Sequence, residues 1–280
     1  MRIAYSPCPN DTFAFHALTH GLIEGAPSFD VTYADIDVTN HLAINGDPDN
    51  HDVMKISFAA LPWVLEDYAL LSCGGALGRG CGPLVLTPNG DNKPNDLQGK
   101  RVAVPSERST AYLLFRLWTA QQVEGDIGEI VVMPFHEIMP AVQNGDIDAG
   151  LVIHEARFTY QNYGLHKLVD LGDWWEKDTG YAIPLGAIIA RRSMDREALT
   201  GWIKQSVDYA WEYPDASRDY VRTHAQEMDE DVANSHIDLY VNTFTKELGE
   251  EGYGAVEAFL GRAAKEGLVP GEQLQRLRDR

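Results

Sequence analysis

Cysteine, positive charge and long apolar runs are all scarce in this chain, and each shortage closes off a class of function. The 280 residues contain three cysteines, Cys8, Cys73 and Cys81, with no CxxC pair among them. With an odd count, no CxxC pair and no export signal, reduced thiols are the expectation. A Cys73–Cys81 bridge across the glycine-rich stretch between them is the less favoured alternative. Lys and Arg number 23 against 42 Asp and Glu, a formal net charge of -19. Nucleic acid and anionic membrane both need a basic footprint, so neither is an expected partner. A pocket can still be locally positive inside an acidic shell. No apolar run approaches the length of a membrane span, so no membrane insertion is expected. The opening MRIAYSPCPNDTF is interrupted by Pro7, Pro9, Asn10 and Asp11, which a secretory signal does not tolerate; a soluble cytoplasmic protein is the expectation. There is no GK[ST] ending, no GxGxxG opening a helix and no GxSxG elbow. His16 and His20 have i,i+4 spacing, but HALTH lacks the Glu of HExxH and no third ligand is evident, so core or surface histidines are the better reading.

What is present is an alternation of short apolar strands and helical patterns, with 44% hydrophobic residues and enough length for a full core. Strands are predicted at 2–5, 29–34, 53–56, 69–72 and 83–87. A helix capped by Asn10 or Asp11 runs to Gly21, and another is capped by Ser57. The polar run Pro88–Gly99 is the clearest break. After it the grammar restarts, with strands at 101–104, 130–133, 149–153, 168–171 and 185–190, and helices from Thr110 and over 137–143. From Asp195 onward nearly everything reads as helix, broken near Pro214, Met228 and Gly249. This βαβα order predicts an α/β fold with mostly parallel sheets. It also predicts a first, discontinuous lobe over 1–90 and 185–280, and a second lobe inserted over 91–184. A hinge between two such lobes implies a ligand cleft at strand carboxyl ends.

Four turns fall at those strand ends: Ser6–Asp11, Lys55–Ser57, Ser106–Thr110 and His154–Arg157. Each except the last opens a helix, and helix N-termini attract carboxylate or phosphate. Ser57, Ser109 and Thr110 add hydroxyls and Lys55 a charge; the plain alternative is that these hydroxyls are ordinary helix caps. The loop GGALGRG (Gly74–Gly80) lacks any phosphate-cradling pattern, and its glycines read as allowing positive φ in a tight path. Arg79 is read as pairing with a surface acid rather than an anion. His154, just beyond an apolar strand, has the chemistry of a general base; a satisfied structural histidine is the competing reading. Trp174, Trp175 and Tyr181 suit either an aromatic wall or, more commonly, core packing.

At SPCPNDTF (Ser6–Phe13), KISFAA (Lys55–Ala60), GGALGRG and IHEARFTY (Ile153–Tyr160) the chain resembles the 1,4-dihydroxy-6-naphthoate synthase family of the futalosine route to menaquinone. PSERSTAYLLF, LVDLGDWWE, PLGAIIARR and YVNTF extend the resemblance over nearly the whole chain. The resemblance implies a two-lobed type II periplasmic-binding-protein-like fold with a central cleft and a helical C-terminal region. It implies a lyase acting on cyclic dehypoxanthinyl futalosine, a small carboxylated substrate, and releasing 1,4-dihydroxy-6-naphthoate and dihydroxyacetone. His154 matches the family's proton acceptor, and Lys55, Ile56, Ser57, Ser109 and Thr110 match its substrate-contacting turns. No metal and no organic cofactor is implied, and the oligomeric state is left open. Two rival readings stand beside it: the chorismate dehydratase that opens the same pathway, and a non-catalytic binding protein for a small anion.

Overall fold

The computed structural model describes residues 1–47, 49, 51–153, 156–225 and 229–279. The chain forms two compact units, Met1–Gly78 with Pro184–Arg280, and Arg79–Ile183. The first is built on strands β1 (Arg2–Tyr5), β2 (Asp30–Tyr33), β3 (Val53–Ser57), β4 (Tyr68–Leu70) and β5 (Ala76–Gly78). The second contains β6 (Leu84–Thr87), β7 (Arg101–Val104), β8 (Glu129–Val132), β9 (Ala149–Val152) and β10 (His166–Asp170). Strand β11 (Ile183–Arg191) then joins the first sheet.

In the first unit the sheet order is β2-β1-β3-β11-β4, with β5 also pairing β11. β1 is parallel to β2 and β3, whereas β11 runs antiparallel to β3 and β4. The expected mostly parallel sheet is therefore a mixed one. The returning chain enters beside β3 from the opposite direction, and a period-two pattern carries no information on strand direction. β3 is central and buried at every position, which explains its near-continuous apolar reading, VMKIS. Ile3, Tyr5, Val53, Ile188 and Ala190 line one core with Phe15, Leu18, Leu199 and Ile203. Full burial of a side chain such as Phe15 contributes about 1.5–3 kcal/mol.

Helix α1 (Pro9–Thr19) is buried nearly all round, because it packs against α7 (Arg196–Glu212), α8 (Arg218–His224) and α9 (Glu230–Tyr240). Pro9 occupies its first turn, where a missing N–H is harmless. The N-cap is Cys8, so Asn10 and Asp11 lie inside the helix and are not its caps. Helix α2 (Ile36–Asn45) was not expected, since Ile36, Val38, Thr39 and Ile44 are β-branched and weakly helical. It packs on β3. The segment after Ser57 is a 3₁₀ helix, Phe58–Trp63, with Pro62 inside it, and Ser57 makes no side-chain cap.

In the second unit the order is β10-β6-β9-β7-β8. β9, β7 and β8 are parallel, and β6 is antiparallel to both its neighbours. Helices α3 (Thr110–Gln122), α4 (Phe135–Asn144), the one-turn α5 (Ala156–Thr159) and α6 (Leu171–Thr179) belong to this unit. Leu84, Leu86, Ala103, Ile138, Val142 and Val152 form one of its cores. The strand expected over 168–171 is β10, and α6 follows it directly. The first unit ends with α10 (Thr243–Lys246) and α11 (Gly249–Lys265).

Candidate functional site

Strand β3 carries Val53 and Lys55 toward α1, and this places a lysine in a sheet interior. Lys55 and Asp11 are 5% and 3% exposed at their side chains. The Lys55 ammonium donates to Asp11 Oδ1. Asn10 Nδ2 donates to the same carboxylate oxygen at 2.8 Å, and Asn10 Oδ1 lies 3.0 Å from His236 Nε2. A buried lysine is tolerable only with such a partner. The charge of Lys55 is met by Asp11 within the first turn of α1, where the helix dipole also favours a carboxylate. Space for the lysine comes from Gly186 on the neighbouring strand, whose added Cβ would stand 2.9 Å from Lys55 Cε. Ile56 faces the other way and is wholly buried.

Ser57 is held by α2. Asn40 accepts the Ser57 N–H at 2.7 Å and donates to Ser57 Oγ at 3.0 Å. The amide's orientation is thereby fixed, because its oxygen faces a donor and its nitrogen a hydroxyl oxygen. The Ser57 hydroxyl accepts from Asn40 and keeps its own hydrogen to give; among the described residues no acceptor for it is found. Just upstream, Ser6 Oγ donates to Cys8 Sγ at 2.8 Å and accepts from the Cys8 N–H at 3.2 Å.

In the second unit, β7 leads into α3 through a buried turn. Ser109 is the N-cap of α3, accepting the Tyr112 N–H at 3.1 Å while its hydroxyl donates to the Ser106 carbonyl at 2.9 Å. Its hydroxyl is thus committed at both ends, as the helix-cap alternative anticipates. Thr110 follows as the first helical residue and is 3% exposed. His154 and Glu155 lie outside the described residues. Arg157, three positions on, donates to the carbonyls of Gly82 and, at 2.9 Å, Gly80, and pairs with Asp170 at 3.2 Å. Asp170 also caps α6 through the Gly172 and Asp173 N–H groups. Gly82 and Gly172 meet backbone to backbone: a Cβ on Gly82 would lie 2.2 Å from Gly172 N. Arg79 pairs with Glu176 and donates to the Gly180 carbonyl at 3.0 Å, the surface-acid reading.

Lys55, Ile56 and Ser57 therefore stand together at the end of β3, and Ser109 and Thr110 together at the start of α3. Asn10, Asp11, Asn40 and His236 complete the first group, and sequence reading missed their roles. A lysine inside an apolar central strand was the signal that could have prompted a search for its carboxylate. Trp175 is wholly buried, hence core, while Tyr181 is exposed. Cys8, Cys73 and Cys81 are buried, and none is joined in a disulfide. Burial first, against weaker cationic neighbours, pushes the Cys73 and Cys81 thiols up to about 12. The His16 and His20 rings lie 4.4 Å apart, tilted by 33°; among the described residues no cluster of three or more metal-ligating side chains occurs. No helix there is long and apolar enough to cross a membrane.

Similar proteins share this framework. Protein AF1704 from Archaeoglobus fulgidus superposes with a TM-score of 0.86 at 32% identity, covering 96% of this chain and 98% of that one. The alkanesulfonate-binding protein SsuA from Xanthomonas axonopodis pv. citri gives a TM-score of 0.71 at 14% identity, covering 97% and 94%. At that identity it attests the periplasmic-binding-protein fold alone. A Streptomyces coelicolor protein named 1,4-dihydroxy-6-naphtoate synthase is 66% identical over 273 residues, 96% of this chain and 95% of its own length. A Thermus thermophilus protein of the same name is 42% identical over 272 residues, 96% of each. The model of a family described as menaquinone biosynthesis matches residues 1–265. With the fold, the motifs and nearly the full length in agreement, the chain belongs to the menaquinone biosynthesis family.

Proposed function

We propose that this chain is a cytoplasmic carbon–carbon lyase that converts cyclic dehypoxanthinyl futalosine into 1,4-dihydroxy-6-naphthoate and dihydroxyacetone. The observation that carries the reading is the near-full-length identity of 66% to a protein named 1,4-dihydroxy-6-naphtoate synthase. His154 acts as the proton acceptor; Lys55, Ile56, Ser57, Ser109 and Thr110 contact the substrate. Proton removal opens the sugar-derived ring, the carbon–carbon bond to the three-carbon fragment breaks, and formation of the second aromatic ring draws the reaction forward. A base and a held substrate supply the orientation such a step needs. Neutral imidazole at His154 is the competent form, so activity falls as the ring protonates.

The direct test is incubation of the purified protein with cyclic dehypoxanthinyl futalosine and chromatographic detection of the naphthoate. Binding without product would make it a binding protein and end the lyase reading. Folded His154→Ala and His154→Asn variants should lose about a hundredfold or more in kcat. Near-normal turnover in either would remove His154 from the role of base.

A further inference from the structure

The lysine proposed to touch substrate stands at the end of a buried chain of side chains that starts in the C-terminal helices. His236 on α9 is 1% exposed, Asn10 is 8% and Asp11 2%. His236 Nε2 meets Asn10 Oδ1 at 3.0 Å, Asn10 Nδ2 meets Asp11 Oδ1 at 2.8 Å, and the Lys55 ammonium donates to that same oxygen. The direction of every bond is fixed by chemistry. An ionised carboxylate only accepts, so Asn10 must present its NH₂ to Asp11. Its carbonyl oxygen then faces His236 and needs a donor, so the hydrogen of the imidazole sits on Nε2. Reversing the Asn10 amide would set two acceptors against each other at Asp11.

We propose that His236 is a positioning residue for Lys55, acting through Asn10 and Asp11; the inference rests on the reading of Lys55 as a substrate contact. The link from His236 to Lys55 runs through Asn10 and Asp11. It locks the Asn10 amide, the amide locks one oxygen of the Asp11 carboxylate, and that oxygen fixes the ammonium at the inner face of β3. Buried, linked networks of this kind hold their members more tightly than isolated pairs do. The helical C-terminal region thereby takes part in shaping the end of a strand nearly two hundred residues earlier in the chain.

The experiment is a double-mutant cycle with rescue, read as kcat/KM. His236→Leu removes the Nε2 donor; His236→Gln keeps an N–H at similar reach. The expectation is a loss of about ten- to hundredfold for Leu, from a displaced contact, and less than about threefold for Gln. In a Lys55→Met background, His236→Leu should add no further loss, because its effect travels through the lysine. Additive losses, or a Gln variant as impaired as the Leu variant, overturn the proposal. If His236→Leu does not accumulate as folded protein, Asn10→Ser severs the same chain and takes its place in the cycle. A second readout needs no turnover: acylation of Lys55 by a water-soluble ester, followed by peptide mass spectrometry. Lys55 should stay slow in wild type and His236→Gln and become faster in His236→Leu; equal rates in all three refute the link. Wild-type protein that makes no naphthoate counts against the proposed function and leaves this chemical readout to decide on His236.

Discussion

Replacing Asp11 by alanine isolates the energetics of the buried ion pair. Lys55 is 5% exposed and, among the described residues, has no other hydrogen-bond partner. The variant therefore strands an ammonium in the interior, a situation that costs about 3–5 kcal/mol. For a folding unit of this size each kcal/mol moves Tm by about 2–4 °C, so the transition of the first unit should fall by about 6–20 °C. Lys55→Met should cost less, because Asn10 still donates to the carboxylate left behind. Asp11→Leu combined with Lys55→Met should recover most of the loss, since it removes both charges from the core. The exposed pair Arg218–Asp215, at 55% and 82% exposure, is the internal control; Asp215→Ala should change stability by less than about 1 kcal/mol. Differential scanning calorimetry measures all four variants. A Tm for Asp11→Ala within about 2 °C of wild type, or a double variant no more stable than the single, refutes the reasoning.

Two further outcomes follow from burial. Cys73 and Cys81, pushed up to about 12, are protonated at neutral pH, and Cys8 is 4% exposed; thiolate is the reactive form. Ellman's reagent should therefore find no fast thiol in the native protein and all three in guanidinium chloride, and a fast native thiol would contradict this packing. His16 is 8% exposed, and burial first, then the neighbouring His20, lowers its pKa from the usual histidine value. The unfolded chain then takes up the proton before the folded one does. This contribution is complete above about pH 6.5 and is lost as pH falls through that value toward the lowered folded pKa. The urea midpoint of wild type should drop between pH 7.5 and pH 5.5 by more than that of His16→Gln; equal drops would mean that His16 is not held neutral.

Much of the fold was legible because its signals are local. β1, β7 and α3 stand at or close to their expected bounds, since apolar runs, turn residues and a serine cap all lie within a few positions of each other. Helix α6 is equally marked, with Asp170 at its start and Gly180 in the left-handed region at its end, but it follows β10 with no intervening turn, so the apolar run of the strand merges with its first residues. Helix α2 carries similar end marks, Asp35 before it and Gly46 at positive φ after it, but its four β-branched residues obscure the helical pattern, and the Asp35 side chain makes no capping bond. Strand direction was lost for a different reason. The antiparallel placement of β11 beside β3 depends on where a distant segment returns, and nothing within β11 states it.

The chemistry of the site shows the same division. Ser57 and Ser109 look alike in sequence, each a serine between a strand and a helix. Ser109 spends its hydroxyl on its own helix, with partners three residues away on either side. Ser57 is gripped from α2 by Asn40, seventeen residues back, which leaves its hydroxyl a donor. Lys55, the one residue that looked like a bare cation, is matched by a carboxylate forty-four positions away. Local pattern finds the places where function can sit, but whether a group there is spent or still free is decided by partners that only the folded chain brings near. For the proposed reaction this shifts the expectation at β3: what its end offers an anionic ligand is the Ser57 hydroxyl hydrogen beside a lysine paired with Asp11, not an unpaired positive charge.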